Sequence, residues 1–200
     1  MIIIEGDQRT PEWEKACLGS VGASSVSKII TTRGRRSTQR DGYFNTLMNE
    51  IISEEKEMDR FCSESMQEGI DREAQTLSAF SIIADLEIKG ISHIKPFERA
   101  YYHCSPDSIV VGQKAGVEVK SVQEKTQIKR LRQNKLPTEY ILQCQMSLLV
   151  SGWDLWYFFS YHPDQAPLLI EVERNENLIS LIKQEVGTFI KELNQLTGRV

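Results

Sequence analysis

In the run Gly116-Val117-Glu118-Val119-Lys120-Ser121, β-branched apolar residues alternate with one acid and one base. An extended strand sends Val117 and Val119 to one face and Glu118 and Lys120 to the other, a separation that a helix of the same residues does not give. The chain must therefore supply a sheet with a packed layer on the valine side. On the opposite surface a carboxylate and an ammonium stand side by side. Upstream lies the turn Ser105-Pro106-Asp107, which ends at a second acid just before another short β-branched segment, Ile109 to Val111.

The rest of the chain changes period around this centre. Thr10 and Pro11 mark a helix start, with Glu12 and Glu14 near the positive end of its dipole. Ser24 and Ser25 follow Gly22-Ala23 and open a second short helix expected to end before Gly34. Tyr43 to Ile52 reads as helix, and a long helical pattern from about Asp59 places Leu77, Phe80 and Ala84 on one stripe. Ile91 to Phe97, Ile109 to Val111 and Gly116 to Val122 read as strands. Thr138 to Ser151 returns to helix, Asp154 to Tyr161 and Leu168 to Val172 are strands, and Asn175 to Thr197 is a final amphipathic helix. This order implies an α/β fold, a central mixed β-sheet flanked by α-helices. Without repeats or a Pro/Gly/Ser linker, one domain over residues 1–200 is expected.

Net charge is −4, which argues against a protein that coats nucleic acid with its whole surface. The charge is unevenly placed. Lys28 to Arg40 and Lys120 to Lys135 each carry a net +5, leaving −14 on the rest. Such polarity suits a molecule that admits a polyanion at one face, although each run also reads as an ordinary solvated helix or loop. Cys17, Cys62, Cys104 and Cys144 form no Cys-x-x-Cys pair, so neither a zinc ribbon nor a disulfide framework is suggested. No apolar run is long enough to span a bilayer, and Met1 to Glu5 lacks the features of a leader. A soluble, cytoplasmic protein with reduced thiols and no membrane association is expected.

Two carboxylates brought together repel one another, and a divalent cation relieves that repulsion. Asp107 and Glu118 are hard oxygen donors with no His or Cys cluster nearby, so Mg²⁺ is the expected ion and Mn²⁺ a substitute. A bound ion that acidifies water, with Lys120 to orient that water or stabilise developing negative charge, is the equipment of phosphodiester hydrolysis. The Glu-x-Lys element alone is common: Glu54-Glu55-Lys56 and Glu87-Ile88-Lys89 also contain it. Only Glu118-Val119-Lys120 has both a preceding Pro-Asp and a β-branched strand. Spacing by itself leaves a structural salt bridge on an edge strand as an equal reading.

Four separated blocks resemble, in order, the phage lambda exonuclease or YqaJ-type viral recombinase family of PD-(D/E)xK nucleases. They are Gln8 to Trp13 with Leu18-Gly19 and Gly22 to Ser25, then Gly69 to Ala74, then Cys104 to Asp107 with Glu118-Val119-Lys120, and Tyr140 to Met146 with Trp153 and Trp156 to Phe158. The resemblance implies a restriction-endonuclease-like core. It implies metal ligation by Asp107, Glu118 and the Val119 carbonyl, a catalytic Lys120, and Glu73 as a further acid. It places Ser24, Ser105 and Gln143 at a terminal 5′ phosphate. It further implies 5′→3′ exonuclease action on linear double-stranded DNA ends, 3′ single-stranded tails, a homotrimer, a single-strand annealing protein as partner, and a phage or prophage origin in a bacterial host.

The departures bear on the phosphate pocket. The family's gripping arginine falls at Cys17, so the cation is expected from Lys15 or from Arg33, Arg35 and Arg36. Ser108 stands where glycine follows Pro-Asp. Trp13 and Trp153 are expected in the core, Ser24 could simply cap a helix, and Gln143 could be a buried amide. A same-fold endonuclease, a Cas4-like nuclease or a non-catalytic DNA-binding protein are the alternatives. The scarcity of cysteines towards the carboxyl end weighs against the Cas4-like one.

Overall fold

The computed structural model describes residues 1–56, 72–97 and 100–199. Cys62, the start of the expected helix at Asp59 and the Gly69-Ile70-Asp71 portion of the second block lie outside them. Strands β3 (Ile88–Lys89), β6 (Ser108–Val110), β7 (Ala115–Ser121), β8 (Leu155–Tyr161) and β9 (Leu168–Glu173) form one sheet in the order β3-β6-β7-β8-β9. All neighbours are antiparallel except β7 and β8, which run parallel. The sheet is mixed, as expected, because the β7 to β8 connection is a crossover through two helices, α4 (Glu124–Gln133) and α5 (Thr138–Ser151). Two small ribbons stand outside it: β1 (Ile2–Ile4) with β4 (His93–Lys95), and β2 (Val21–Gly22) with β5 (Tyr102–His103).

The alternation of β7 decides which layer lies where. Val117 and Val119 pack with Val110, Tyr157 and Phe159 against Phe80 of helix α3 (Glu73–Ala84), whose Leu77 and Ala84 complete the stripe. Phe158 and Trp156, on the other face of β8, enter the larger core, under α5, helix α2 (Arg40–Ser53) and the long helix α6 (Glu176–Thr197). Asn175 caps α6 by accepting from the Leu178 amide at 3.0 Å. Gly116 lets the ring of the fully buried Trp156 lie against the β7 backbone: a Cβ built there would stand 2.3 Å from it.

Helix α1 (Pro11–Cys17) starts as its sequence implies, with Thr10 Oγ1 accepting from the Trp13 amide at 3.2 Å. The second short helix differs from expectation. It is a 3-10 turn over Ala23–Lys28, with Gly22 before it and Ser24 inside it, so Ser24 is not a cap. It stops well before Gly34 because the run Ile29-Ile30-Thr31-Thr32 is β-branched. A tight loop closes there instead, with the Thr31 amide donating to the Arg35 carbonyl at 2.8 Å and Gly34 at φ 74°. Two bases of the basic runs point inward. Arg40 is 4% exposed and pairs with Glu192 at 2.7 Å, and Arg130 is 5% exposed.

Candidate active site

Asp107 ends the turn that leads into β6. Its amide donates to the Val117 carbonyl at 3.0 Å, and its Oδ2 accepts from the Val119 amide at 2.7 Å. A strand residue directs its N–H and C=O to the same neighbour, so the Val119 carbonyl faces this edge too. Gln8, from the first block, fixes the turn by donating to the Pro106 carbonyl at 2.7 Å and the Ile91 carbonyl at 3.2 Å. Glu118 is 3% exposed, and its Oε1 lies 2.5 Å from Lys120 Nζ.

Asp107, bound to the amide of the residue after Glu118, lies within reach of the Glu118 charge. Burial first, and then the charge of Glu118, pushes the Asp107 carboxyl up to about 7, against the opposing pull of Lys120 and the Val119 amide. Burial works against the Lys120 charge, but Glu118 and Asp107 more than offset it and raise the ammonium above its ordinary value, so it is protonated. The Lys120 ammonium also lies 5.6 Å over the Tyr140 ring, whose hydroxyl accepts from buried Arg130 at 3.2 Å. Arg130 donates as well to Ser160 Oγ at 2.9 Å, and Ser160 is the β8 partner of Lys120.

Glu73, the first residue of α3, lies near enough to add to the rise at Asp107, but its carboxylate is held by Arg9 at 2.7 Å. No group of three or more His, Cys, Asp or Glu side chains suited to a metal occurs among the described residues. The donors facing this space are thus two carboxylates and a carbonyl. That set fits a hard divalent ion such as Mg²⁺, which keeps several waters and takes few protein ligands. A carboxyl raised by burial beside a second acid is also the electrostatic deficit that a cation corrects.

A cavity of about 460 Å³ brings Ser24, Ser105 and Gln143 together, from the 3-10 turn, the Pro-Asp turn and α5. Trp13 is part of its wall and not of the core: the indole N–H donates to Ser105 Oγ at 3.1 Å. Trp153 is in the core, as expected. Cys17 also lines the cavity, buried and neutral, its thiol pushed up to about 12 mainly by burial. His103 is uncharged there, since burial and then neighbouring His93 lower it to about 3. Among the described residues, the cations of the cavity are Lys28 and Lys56. Lys56 is bound to the buried Glu50 at 2.9 Å, whereas the Lys28 ammonium has the Tyr43 ring beneath it at 5.3 Å.

Arg33, Arg35 and Arg36 are on the loop after the 3-10 turn and do not line this cavity, and Arg36 lies 3.6 Å from Asp41. Lys15 borders other surface clefts. The sequence reading missed Lys28 and Lys56. Lys28 had a signal, since it falls one 3-10 turn after Ser25, where side chains eclipse. Lys56 had none: its approach to Glu50 depends on how the chain leaves α2.

A mixed sheet carrying Asp, Glu and Lys at one strand edge, with helices on both faces, defines the restriction-endonuclease-like fold of nucleases. Within that class the chain belongs to the family described as the YqaJ-like viral recombinase domain, which it matches over residues 12–154. Its structure is similar to that of an alkaline exonuclease (LHK-Exo) from Laribacter hongkongensis, at 26% identity and TM-score 0.84, covering 94% of this chain and 95% of that one. The same values hold for LHK-Exo in complex with dAMP. A phage related exonuclease from Haemophilus somnus 129PT shares the fold at 14% identity and TM-score 0.64, over 90% of this chain and 95% of that one. No curated protein matches the chain. Among the described residues, no helix is long and apolar enough to cross a membrane.

Proposed function

We propose that this chain is a Mg²⁺-dependent exodeoxyribonuclease that degrades one strand of linear double-stranded DNA from its 5′ end, within a single domain over residues 1–200. The observation that carries the reading is adjacency: Ser105, in the cavity, is two residues before Asp107, which sets the proposed phosphate pocket beside the acidic edge. Ser24, Ser105 and Gln143 donate to the phosphate, and Lys28 supplies the cation that Cys17 does not. Family membership and the likeness to an alkaline exonuclease support the same reaction class.

When bound, the ion supplies Lewis-acid shielding of the phosphate and an acidified water. The chain's own residues do the rest. Asp107 and Glu118 present carboxylate oxygens to one space, and the Val119 carbonyl faces the same edge. The protonated Lys120 ammonium is held between Glu118 and the Tyr140 ring, where it stabilises negative charge developing on the phosphoryl oxygens. The 3′ single-stranded tail left behind is the substrate class of a strand-annealing protein, which makes such a protein the partner. A homotrimer and a phage-encoded, cytoplasmic setting belong to the same reading.

End-labelled linear duplexes with 5′ phosphate or 5′ hydroxyl termini test it. Mononucleotide release from the 5′ label, faster with the phosphate and absent in chelator, is expected. Release from the 3′ label first, or cutting of a covalently closed circle, overturns the polarity and the end dependence.

A further inference from the structure

The two faces of α4 have opposite fates. Gln127 and Arg130 are buried and tie the helix to β8, Gln127 by donating to the Ser160 carbonyl at 3.1 Å and Arg130 to Ser160 Oγ at 2.9 Å. Lys125, Ile128, Lys129, Arg132 and Gln133 line a shallow groove on the other face, at the spacing of one helical stripe, and all five are exposed. Lys125, Lys129 and Arg132 make no ion pair among the described residues. The only acid of the helix, Glu124, is occupied by Gln165 at 2.8 Å.

Helix stability accounts for only part of this stripe: Arg132, in the last turn, suits the negative end of the helix dipole, whereas Lys125 and Lys129 lie outside that turn. Like charges three and four residues apart destabilise a helix by a few tenths of a kcal/mol per pair, and no acid here offsets them. A polyanion does offset them. The stripe is also placed for the substrate: Glu124 is four residue steps after Lys120, a reach of at most about 14 Å. From Lys125 to Arg132 the helix rises about 10 Å, close to three base-pair steps of about 3.4 Å. The anchor at Ser160 fixes this face relative to the strand that carries Glu118 and Lys120.

We propose that the outward face of α4 binds the phosphodiester backbone of the substrate duplex, with Lys125, Lys129 and Arg132 each neutralising a phosphate. The inference rests on the DNA-directed function above and adds the surface that the duplex follows outside the catalytic edge. Arg130, although in the same basic run, takes no part.

The test is equilibrium binding of a linear duplex by the full chain in chelator, between about 50 and 200 mM salt. Replacing Lys125, Lys129 and Arg132 together by Gln is expected to lower the salt slope by about 2.7, at about 0.9 per phosphate contact, and to weaken binding at least about tenfold at the low-salt end. Lys183→Gln with Lys191→Gln, on exposed α6 positions, controls for bulk charge and is expected to leave the slope unchanged. An unchanged slope in the α4 variant, or an equal fall in the control, overturns the inference while the proposed function stands. Absence of duplex binding by the parent chain in chelator overturns the inference, and the end-labelled nuclease assay decides the proposed function separately. An α4 variant that keeps the slope but no longer captures a strand-annealing protein reassigns the face to a protein partner and overturns the DNA assignment.

Discussion

The Asp107 carboxylate receives the Val119 amide at 2.7 Å, so an acidic side chain stands where the next β6 residue would have paired with β7. The ladder ends at Ser108, and the edge it leaves open is the one that the Val119 carbonyl also faces. The proposed catalytic centre is made by stopping a sheet at this register, at the cost of burying an acid beside another acid.

That cost makes the ion-free protein sensitive to pH. Asp107 is raised from 3.8 to about 7, so between those values the folded state keeps a proton that the unfolded state has lost. Its stabilising share is complete below about pH 4 and disappears as pH rises through about 7. Because the proton must leave before an ion binds, affinity for Mg²⁺ rises over the same window. Thermal melts in chelator and calorimetric Mg²⁺ titration at pH 6 and pH 8 check both trends. Equal affinities at the two pH values contradict a ligand role for Asp107.

In the proposed function Lys120 serves both the fold and the chemistry. Lys120→Met strands the buried Glu118 carboxylate and is expected to destabilise the protein by about 2–4 kcal/mol, below the range for fully buried pairs because Lys120 is partly exposed. Adding Glu118→Gln is expected to restore most of that stability. Neither the single nor the double variant is expected to hydrolyse linear duplex at more than about one hundredth of the parent rate. Denaturant melts with a nuclease assay separate the two effects, and undiminished cleavage by either variant removes Lys120 from the site.

The proposed phosphate pocket assigns the discrimination between end types to Lys28. Lys28→Met is expected to reduce the preference for 5′ phosphate over 5′ hydroxyl ends by about 10- to 100-fold, the worth of one charge-assisted hydrogen bond. Replacing Arg33, Arg35 and Arg36 by Gln is expected to leave that ratio near its parent value, because these side chains lie outside the cavity. Competition between the two end types in one reaction measures the ratio directly. The opposite ranking of the two variants would return the role to the arginines.

Gly116→Ala is expected to destabilise by about 1–3 kcal/mol or more through overpacking. The added methyl meets the ring of Trp156, which is fully buried. A shortened Trp156→Leu partner is expected to relieve part of that loss. Chemical denaturation of the single and double variants decides whether the two residues are coupled.

Much of the architecture was legible because it follows period. The alternation in β7, the 3.6-residue stripe of Leu77, Phe80 and Ala84, and the Thr10 cap of α1 each appear at or within a residue or two of the expected place. Strands too short to show a period, β2, β3 and β5 among them, were not legible, since two residues hold no alternation. Asp107, Glu118 and Lys120 could be named from the order of types along the chain. Their convergence could not, because it depends on the register between β6 and β7.

What the sequence determined by itself was therefore local: which residues lie on which face of a strand or helix, and the composition of the acidic edge. Only the tertiary structure decided the destinations. It turned Arg40 and Arg130 inward from their basic runs, and it put Lys28 in place of the loop arginines beside Ser24, Ser105 and Gln143. The reason is physical. A cation's surroundings are set by groups distant in sequence, such as Glu192 for Arg40 and Ser160 for Arg130, and no local pattern records which of them will arrive.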